Sequence, residues 1–170
     1  MINRIRKYFD FEELACPHIT KRDGERAWIY FDPRLLANLL FVRERIGLPI
    51  FANNWAIGGN LSQRGLRCNI CALVKEKTAL EKLYMTPHTG MAVDFDVKGM
   101  SALEVRNWIK EHEDEMPYPC RLEADVNWVH MDTRTDRKKG KVTNIYASFL
   151  AKSAVLCPSA VQLQDKGGWL

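Results

Sequence analysis

Between Gly90 and Val97 the chain alternates residue by residue, and this alternation constrains the fold more than any other stretch. Met91, Val93, Phe95 and Val97 fall on one side of a period-two strand and make an apolar face suited to a core. Gly90, Ala92, Asp94 and Asp96 fall on the other. A strand facing solvent carries longer polar side chains, whereas two small residues followed by two carboxylates leave space for a ligand or a metal. His88 stands just before this strand. A second histidine lies in Trp128-Val129-His130-Met131-Asp132, where the same period puts Trp128, His130 and Asp132 on one face. Two imidazoles and a carboxylate from two strands are a three-ligand zinc set with an open fourth position. The competing reading is a polar cluster that holds no metal.

The 170 residues are enough for one domain, and 46% hydrophobic with 27% charged residues is the balance of a soluble globular protein. No apolar run reaches the length of a membrane span. The basic segment Met1–Lys7 is followed by charged and aromatic residues instead of an apolar stretch, so no secretory signal is expected. The formal charge of +4 is gathered late, at Arg134, Arg137, Lys138, Lys139 and Lys141. A solvated loop explains that run more simply than attraction to an anionic polymer. Five cysteines, an odd number without a secretory signal, argue against a disulfide framework. Cys68 and Cys71 form a Cys-x-x-Cys pair with no second pair to complete a structural zinc site. Cys16, Cys120 and His18 contribute only if the fold brings them near, and reduced thiols are the favoured reading.

In chain order, Phe9–Leu14 reads as a short helix with Asp10 as N-cap and Glu13 at the capping-box position, ended by Cys16-Pro17. Lys21–Glu25 reads as a polar turn. Asp32-Pro33 opens a well-buried helix carrying Leu35, Leu36, Leu39, Leu40, Phe41, Val42 and Ile46, which Gly47 ends. A short strand follows from Pro49 to Asn53. The glycine-punctuated loop from Asn54 to Asn69 carries Arg64 and Arg67, which suit either an anionic ligand or neighbouring acids. Thr78–Tyr84 is expected to be a short helix. Ser101-Ala102-Leu103-Glu104 is a capping box opening a helix near 102–113, with His112 at its C-terminal end as a surface or dipole partner. Arg121–Glu123 and Asn127–Asp132 are expected strands, Asn144–Leu150 is ambiguous, and Lys166–Leu170 is a loose tail.

These motifs together resemble the zinc D-alanyl-D-alanine carboxypeptidase family, which includes L-alanyl-D-glutamate endopeptidases among phage endolysins. The family pattern Ser-x-His-x-x-Gly-x-Ala-x-Asp, followed by Trp-x-His, is matched by Thr86-Pro87-His88, Gly90-Met91-Ala92-Val93-Asp94 and Trp128-Val129-His130. The likeness spans about residues 9–134 of what reads as a single domain, with 135–170 as a C-terminal extension. It implies an α+β fold of the carboxypeptidase or hedgehog-like kind, a small, mostly antiparallel sheet carrying the metal site and flanked by helices. It implies one zinc ion held by His88, Asp94 and His130. The loop from His88 to Gly90 is one residue shorter than the pattern, so Asp96, on the same face, remains a second candidate ligand. The family's general-base position is occupied by Asn127, which cannot accept a proton. Glu123 is the replacement the resemblance favours, with Asp125 next. Arg64 and Arg67 would grip a substrate carboxylate or the developing oxyanion. Trp128 and Asp132 would line the substrate site, Asp132 also suiting the support of a ligand or an arginine.

The activity so implied is zinc-assisted hydrolysis of a peptide bond in peptidoglycan stem peptides, with Glu123 shuttling the proton. A monomer is expected, made in the cytoplasm and acting on the wall after release, with neither nucleic acid nor membrane as partner. Asn127 and the short loop favour an alternative, a non-catalytic phage structural or binding protein of the same fold. A nucleic-acid-binding protein rests on the basic run alone and ranks last.

Overall fold

The computed structural model describes residues 1–80, 87–134 and the strand 142–147. Six helices are described: α1 (Ile2–Ile5), α2 (Phe11–Leu14), α3 (Pro17–Asp23), α4 (Pro33–Ile46), α5 (Ala72–Ala79) and α6 (Ala102–Glu111). Five strands form one sheet: β1 (Ile50–Phe51), β2 (Ala92–Val97), β3 (Cys120–Ala124), β4 (Val129–Asp132) and β5 (Val142–Ala147), in the order β1-β2-β4-β3-β5. Every pairing is antiparallel except that of β5 with β3. The architecture is therefore α+β with a small, mostly antiparallel sheet. No helix among the described residues is long and apolar enough to cross a membrane.

The longest helix follows its sequence signals. Asp32 accepts a hydrogen bond from the Arg34 N–H, a cap worth about 1 kcal/mol. Pro33 fills the first turn, and Gly47 ends the helix at φ 74°. Leu35, Leu36, Leu39, Leu40 and Val42 are buried. Of these, Leu35, Leu36, Leu39 and Val42 share one core with Val93, Phe95, Leu122, Val129 and Met131 of the sheet and with Val105 and Ile109 of α6. Each large side chain so buried contributes about 1.5–3 kcal/mol. Phe11 packs edge to face against Trp28 and Phe31, which are tilted on one another, with centroids 5.4 to 6.2 Å apart.

Two local expectations are corrected and one ambiguity is resolved. Cys16-Pro17 does end α2, but Pro17 opens a new helix, α3, so Lys21–Asp23 is helical and not a turn. A 3-10 stretch, Gly24–Tyr30, follows it. Proline is tolerated at a first helical position, where its missing N–H costs nothing. The helix expected at Thr78–Tyr84 lies earlier, at Ala72–Ala79, with Cys71 as its N-cap residue; residues 81–86 lie outside the described residues. Asn144–Leu150 is strand as far as Ala147, while 148–150 and the tail Lys166–Leu170 lie outside them too. So does the basic run beyond Arg134.

The apolar face of β2 packs as expected: Val93, Phe95 and Val97 are buried. Its other face is the floor of the site. Gly90, with φ 120°, brings the chain into β2 so close to the 3-10 segment that a Cβ would lie 2.0 Å from the Tyr30 carbonyl oxygen. Only glycine fits there.

Candidate metal centre

The register of the sheet assembles the site. Asp94 of β2 is the cross-strand partner of His130 of β4, and Ala92 is the partner of Asp132. On the far side of β4, Asp132 pairs with Arg121 of β3. Because the side-chain period is two, Asp94, His130, Asp132 and Arg121 share one face, with Ala92 leaving room beside them. His88 reaches the same face from the 3-10 turn Pro87–Thr89 just before β2.

The imidazoles of His88 and His130 lie 5.2 Å apart, centroid to centroid. Asp94 sits between them, its Oδ2 3.2 Å from His88 Nε2 and its Oδ1 2.6 Å from His130 Nδ1. One donor atom from each residue lies within 4.8 Å of the other two. All three are buried, at 3%, 8% and 6% exposure. Asp96 projects from the same face but is held by Arg64 and is partly exposed, so Asp94 and not Asp96 belongs to the cluster.

Each histidine is oriented by a partner behind it. His88 Nδ1 donates to the Gly65 carbonyl oxygen at 2.9 Å, so in the neutral ring Nε2 carries the lone pair and points it at Asp94. Gly65 makes this contact from a position where a Cβ would meet the Leu14 carbonyl oxygen at 1.9 Å. His130 Nε2 donates to Asp132 Oδ2 at 3.2 Å, which aims Nδ1 at Asp94. Asp132 is in turn gripped by Arg121 through two hydrogen bonds of 2.9 and 2.8 Å and accepts the Arg134 N–H. Arg106 of α6 holds the approach to β4 by donating to the carbonyls of Val126 and Trp128.

The electrostatics of the three side chains bear on what they can hold. Burial holds His88 below its ordinary pKa, outweighing the attraction of Asp94, so this ring is neutral near pH 7. Its lone pair then faces a carboxylate oxygen with no proton between them. Burial also works against charge on His130, but the hydrogen bonds to Asp132 and Asp94 prevail and push it up to about 9. Burial works against charge on Asp94 as well, but the hydrogen bond it accepts from His130 and the nearness of both rings prevail and hold its carboxyl well below the usual carboxylate range. Two acceptors turned toward one another, with outer partners fixing each ring, fit a divalent cation held by His88 Nε2, Asp94 and His130 Nδ1. The 3.2 Å edge between His88 and Asp94 is close to the roughly 3.4 Å expected of a tetrahedron with bonds near 2.0–2.1 Å, whereas the 2.6 Å contact between Asp94 and His130 is a hydrogen bond that must open, with loss of its proton, for a cation to enter.

Beside the centre is a cleft of about 350 Å³ whose walls include Arg64, Arg67, Gln63, Leu73, Asp94 and Trp128. Here two of the residues expected to meet a substrate are held by partners within the protein. Arg67 donates to Asp94 Oδ2 at 3.2 Å and to the Gln63 carbonyl, so its guanidinium is bound to the cluster's own carboxylate. Asp132 has 0% exposure behind His130 and offers no surface to a substrate; its work is to hold His130 and Arg121. Arg64 ion-pairs with Asp96 at the cleft wall, and Trp128 lines the same cleft.

Glu123 follows Arg121 by two residues on β3, which puts it on the site face. Burial raises its carboxyl above the ordinary value. The nearby carboxylates Asp94 and Asp132 add to the shift and His130 opposes it. Asp125, at φ 61°, and Asn127 are both exposed in the connection before β4. His112 lies on α6 away from this group, stacked on Trp108 and bonded to its carbonyl at 2.8 Å.

A second group, foreseen only as a minority reading, also comes together: Cys16, His18, Cys68 and Cys71. Cys120 does not join it and is buried apart. No family model matches this chain, and comparison with curated proteins and with solved structures returns no match.

Proposed function

We propose that this protein is a zinc-dependent peptidase that hydrolyses a peptide bond in peptidoglycan stem peptides. The observation that carries the reading is the meeting of His88, Asp94 and His130 at one buried point, each ring fixed from behind, beside a cleft walled by Arg64 and Trp128. Bound there, zinc would supply a Lewis acid that polarises a scissile carbonyl and lowers the pKa of water.

The residues of the chain supply the rest. The Glu123 carboxylate takes the proton of the attacking water and hands it to the leaving amine. Its raised pKa suits a group that must both accept and return a proton near neutrality. Arg64 keeps a planar fork of donors at the cleft wall, where it binds a carboxylate of the stem peptide. Arg67 neutralises and orients Asp94. Trp128 offers a flat apolar wall to the peptide, and Asp132 with Arg121 keeps His130 in the tautomer that presents Nδ1. The fold this reading requires is the carboxypeptidase-like one that the sequence motifs resemble.

The test is incubation of the purified chain with defined stem peptides, with and without chelator, followed by identification of the products by mass. Cleavage that chelator abolishes and zinc restores supports the proposal; chelator-insensitive cleavage contradicts it. One observation favours a second reading, a phage structural or binding protein without catalysis. The residue at the resemblance's general-base position is an exposed amide, Asn127. Metal binding without turnover on any stem peptide would support that reading.

A further inference from the structure

The geometry points to a second, closed zinc site, built from Cys16, His18, Cys68 and Cys71, that clamps the first helices of the chain to the loop beneath the sheet centre. It shares no residue with the proposed peptidase centre and does not depend on that reading.

The four donors come from two places far apart in sequence. Cys16 precedes α3 and His18 lies in its first turn, while Cys68 and Cys71 span the turn that opens α5. His18 Nδ1 lies 3.5 Å from Cys68 Sγ and 3.7 Å from Cys71 Sγ, and the two sulfurs are 3.7 Å apart. One ligand atom from each of the four residues lies within 4.8 Å of all the others. A tetrahedron with zinc–sulfur bonds of about 2.3 Å and zinc–nitrogen bonds of about 2.0–2.1 Å has sulfur–sulfur edges near 3.8 Å and sulfur–nitrogen edges near 3.6 Å. The observed edges match both. They do not match a disulfide, whose sulfurs lie about 2.05 Å apart, and all three cysteines are free.

Three thiolates and an imidazole favour zinc over the hard oxygen-seeking cations. On binding, the thiol protons pass to solvent and each sulfur donates an electron pair to the metal. The surplus negative charge is met in part by the Cys68 N–H, which donates to Cys71 Sγ at 3.4 Å. With four protein ligands no position stays open for a substrate, so the site is structural.

Its place in the fold says what it stabilises. Cys16 N–H donates to the Leu66 carbonyl at 2.9 Å and Leu66 N–H to the Leu14 carbonyl at 2.8 Å, a strand-like pairing of two loops. The segment thereby fixed carries Arg64, Gly65 and Arg67, the residues that touch Asp96, His88 and Asp94. The pairing rests on these two backbone hydrogen bonds and on the burial of Leu14, Ala15 and Leu66 in the core, and the clamp would add a crosslink beside them.

Cobalt(II) titration of the full chain, reduced and stripped of metal, is the test. Thiolate coordination gives an intense sulfur-to-cobalt charge-transfer band in the near ultraviolet, which a site of two histidines and an aspartate cannot give; both centres can give visible bands, so the near-ultraviolet band is the one that discriminates. The expected result is a saturable thiolate band, bleached by zinc, that is retained in His88→Ala and in Cys120→Ser and lost in Cys68→Ser. His18→Ala, which keeps all three thiolates, is expected to retain the charge-transfer band while the visible bands shift. Absence of the band in the unsubstituted chain, or its persistence at full strength in folded Cys68→Ser, would overturn the site. If Cys68→Ser does not fold, alkylation decides: zinc is expected to protect Cys16, Cys68 and Cys71 in the unsubstituted chain, and equal labelling with and without zinc would overturn it. Loss of peptidase activity in His88→Ala with the thiolate band intact would separate the two centres.

Discussion

The two clusters solve the same problem in opposite ways. The sheet centre takes its donors from two paired strands and the turn before one of them, keeps them 3% to 8% exposed, and gives each ring a partner behind it. The cysteine cluster takes its donors from the beginnings of two helices, leaves His18 exposed, and relies on sulfur. Three hard or borderline donors leave a coordination position for chemistry, whereas four donors rich in thiolate close the metal off. The difference teaches that, on the proposed function, the first centre would act on a substrate, and on the further proposal the second would hold the chain still. The shared element is the Arg64–Arg67 loop, which touches the first and leads into the second.

This contrast can be broken or sharpened by substitution, beginning with the largest effect. Asp94→Ala is expected to remove metal from the sheet centre and reduce peptide hydrolysis to background, while Asp96→Asn keeps its metal. Metal analysis beside turnover checks both, and metal loss in Asp96→Asn alone would reverse the ligand assignment. Glu123→Gln is expected to retain metal and slow turnover by about 10²–10⁴-fold, the usual worth of a general acid–base. Single-turnover kinetics would show it, and unchanged turnover would remove Glu123 from the mechanism. Asp132→Asn keeps a hydrogen-bonding group of the same shape but weakens the hold on His130, and should cost about 10–100-fold in zinc affinity at the sheet centre. Competition with a chromophoric chelator measures that loss. The thiolate cobalt band should not change in the same variant.

The smallest expected effect is on pH dependence. In the metal-free protein, His130 keeps its proton up to about 9, whereas in the unfolded chain it loses it near 6.5. Its contribution is therefore complete below pH 6.5 and is lost as the pH rises toward 9. His88, held below its ordinary value, opposes this trend only near pH 6.5, where the unfolded ring still binds part of a proton, and is neutral in both states at higher pH. Thermal unfolding of the metal-free chain should therefore weaken steadily between pH 6.5 and 9. A flat profile would mean that His130 is not the imidazolium described here.

Legibility followed periodicity. The Gly90–Val97 alternation and the Trp128–Asp132 spacing placed Asp94, His130 and Asp132 correctly because a strand projects its residues by a local rule. Caps and breakers at Asp32, Gly47 and Ser101 located α4 and α6 for the same reason. What local rules do not encode was missed. Arg67 was expected to meet a substrate, but its partner, Asp94, is 27 residues away and is set by how the loop lies under β2. Asp132 was given a substrate contact because face alone does not reveal depth in a sheet. The cysteine cluster left half a signal: Cys68-x-x-Cys71 was visible, but Cys16 and His18 join it only through the Leu14–Leu66 pairing. Cys16-Pro17-His18, a thiol and an imidazole flanking a proline at a helix start, was the clue available.

The central claim is that His88, Asp94 and His130 meet around one divalent cation. An anomalous-difference map recorded at the zinc edge, from crystals of the full chain grown with zinc, tests it most directly. The account predicts a strong peak within bonding distance of His88 Nε2, Asp94 and His130 Nδ1, resolved from any peak among the cysteines. Density showing these three side chains bonded only to one another, with no anomalous peak between them, would contradict it.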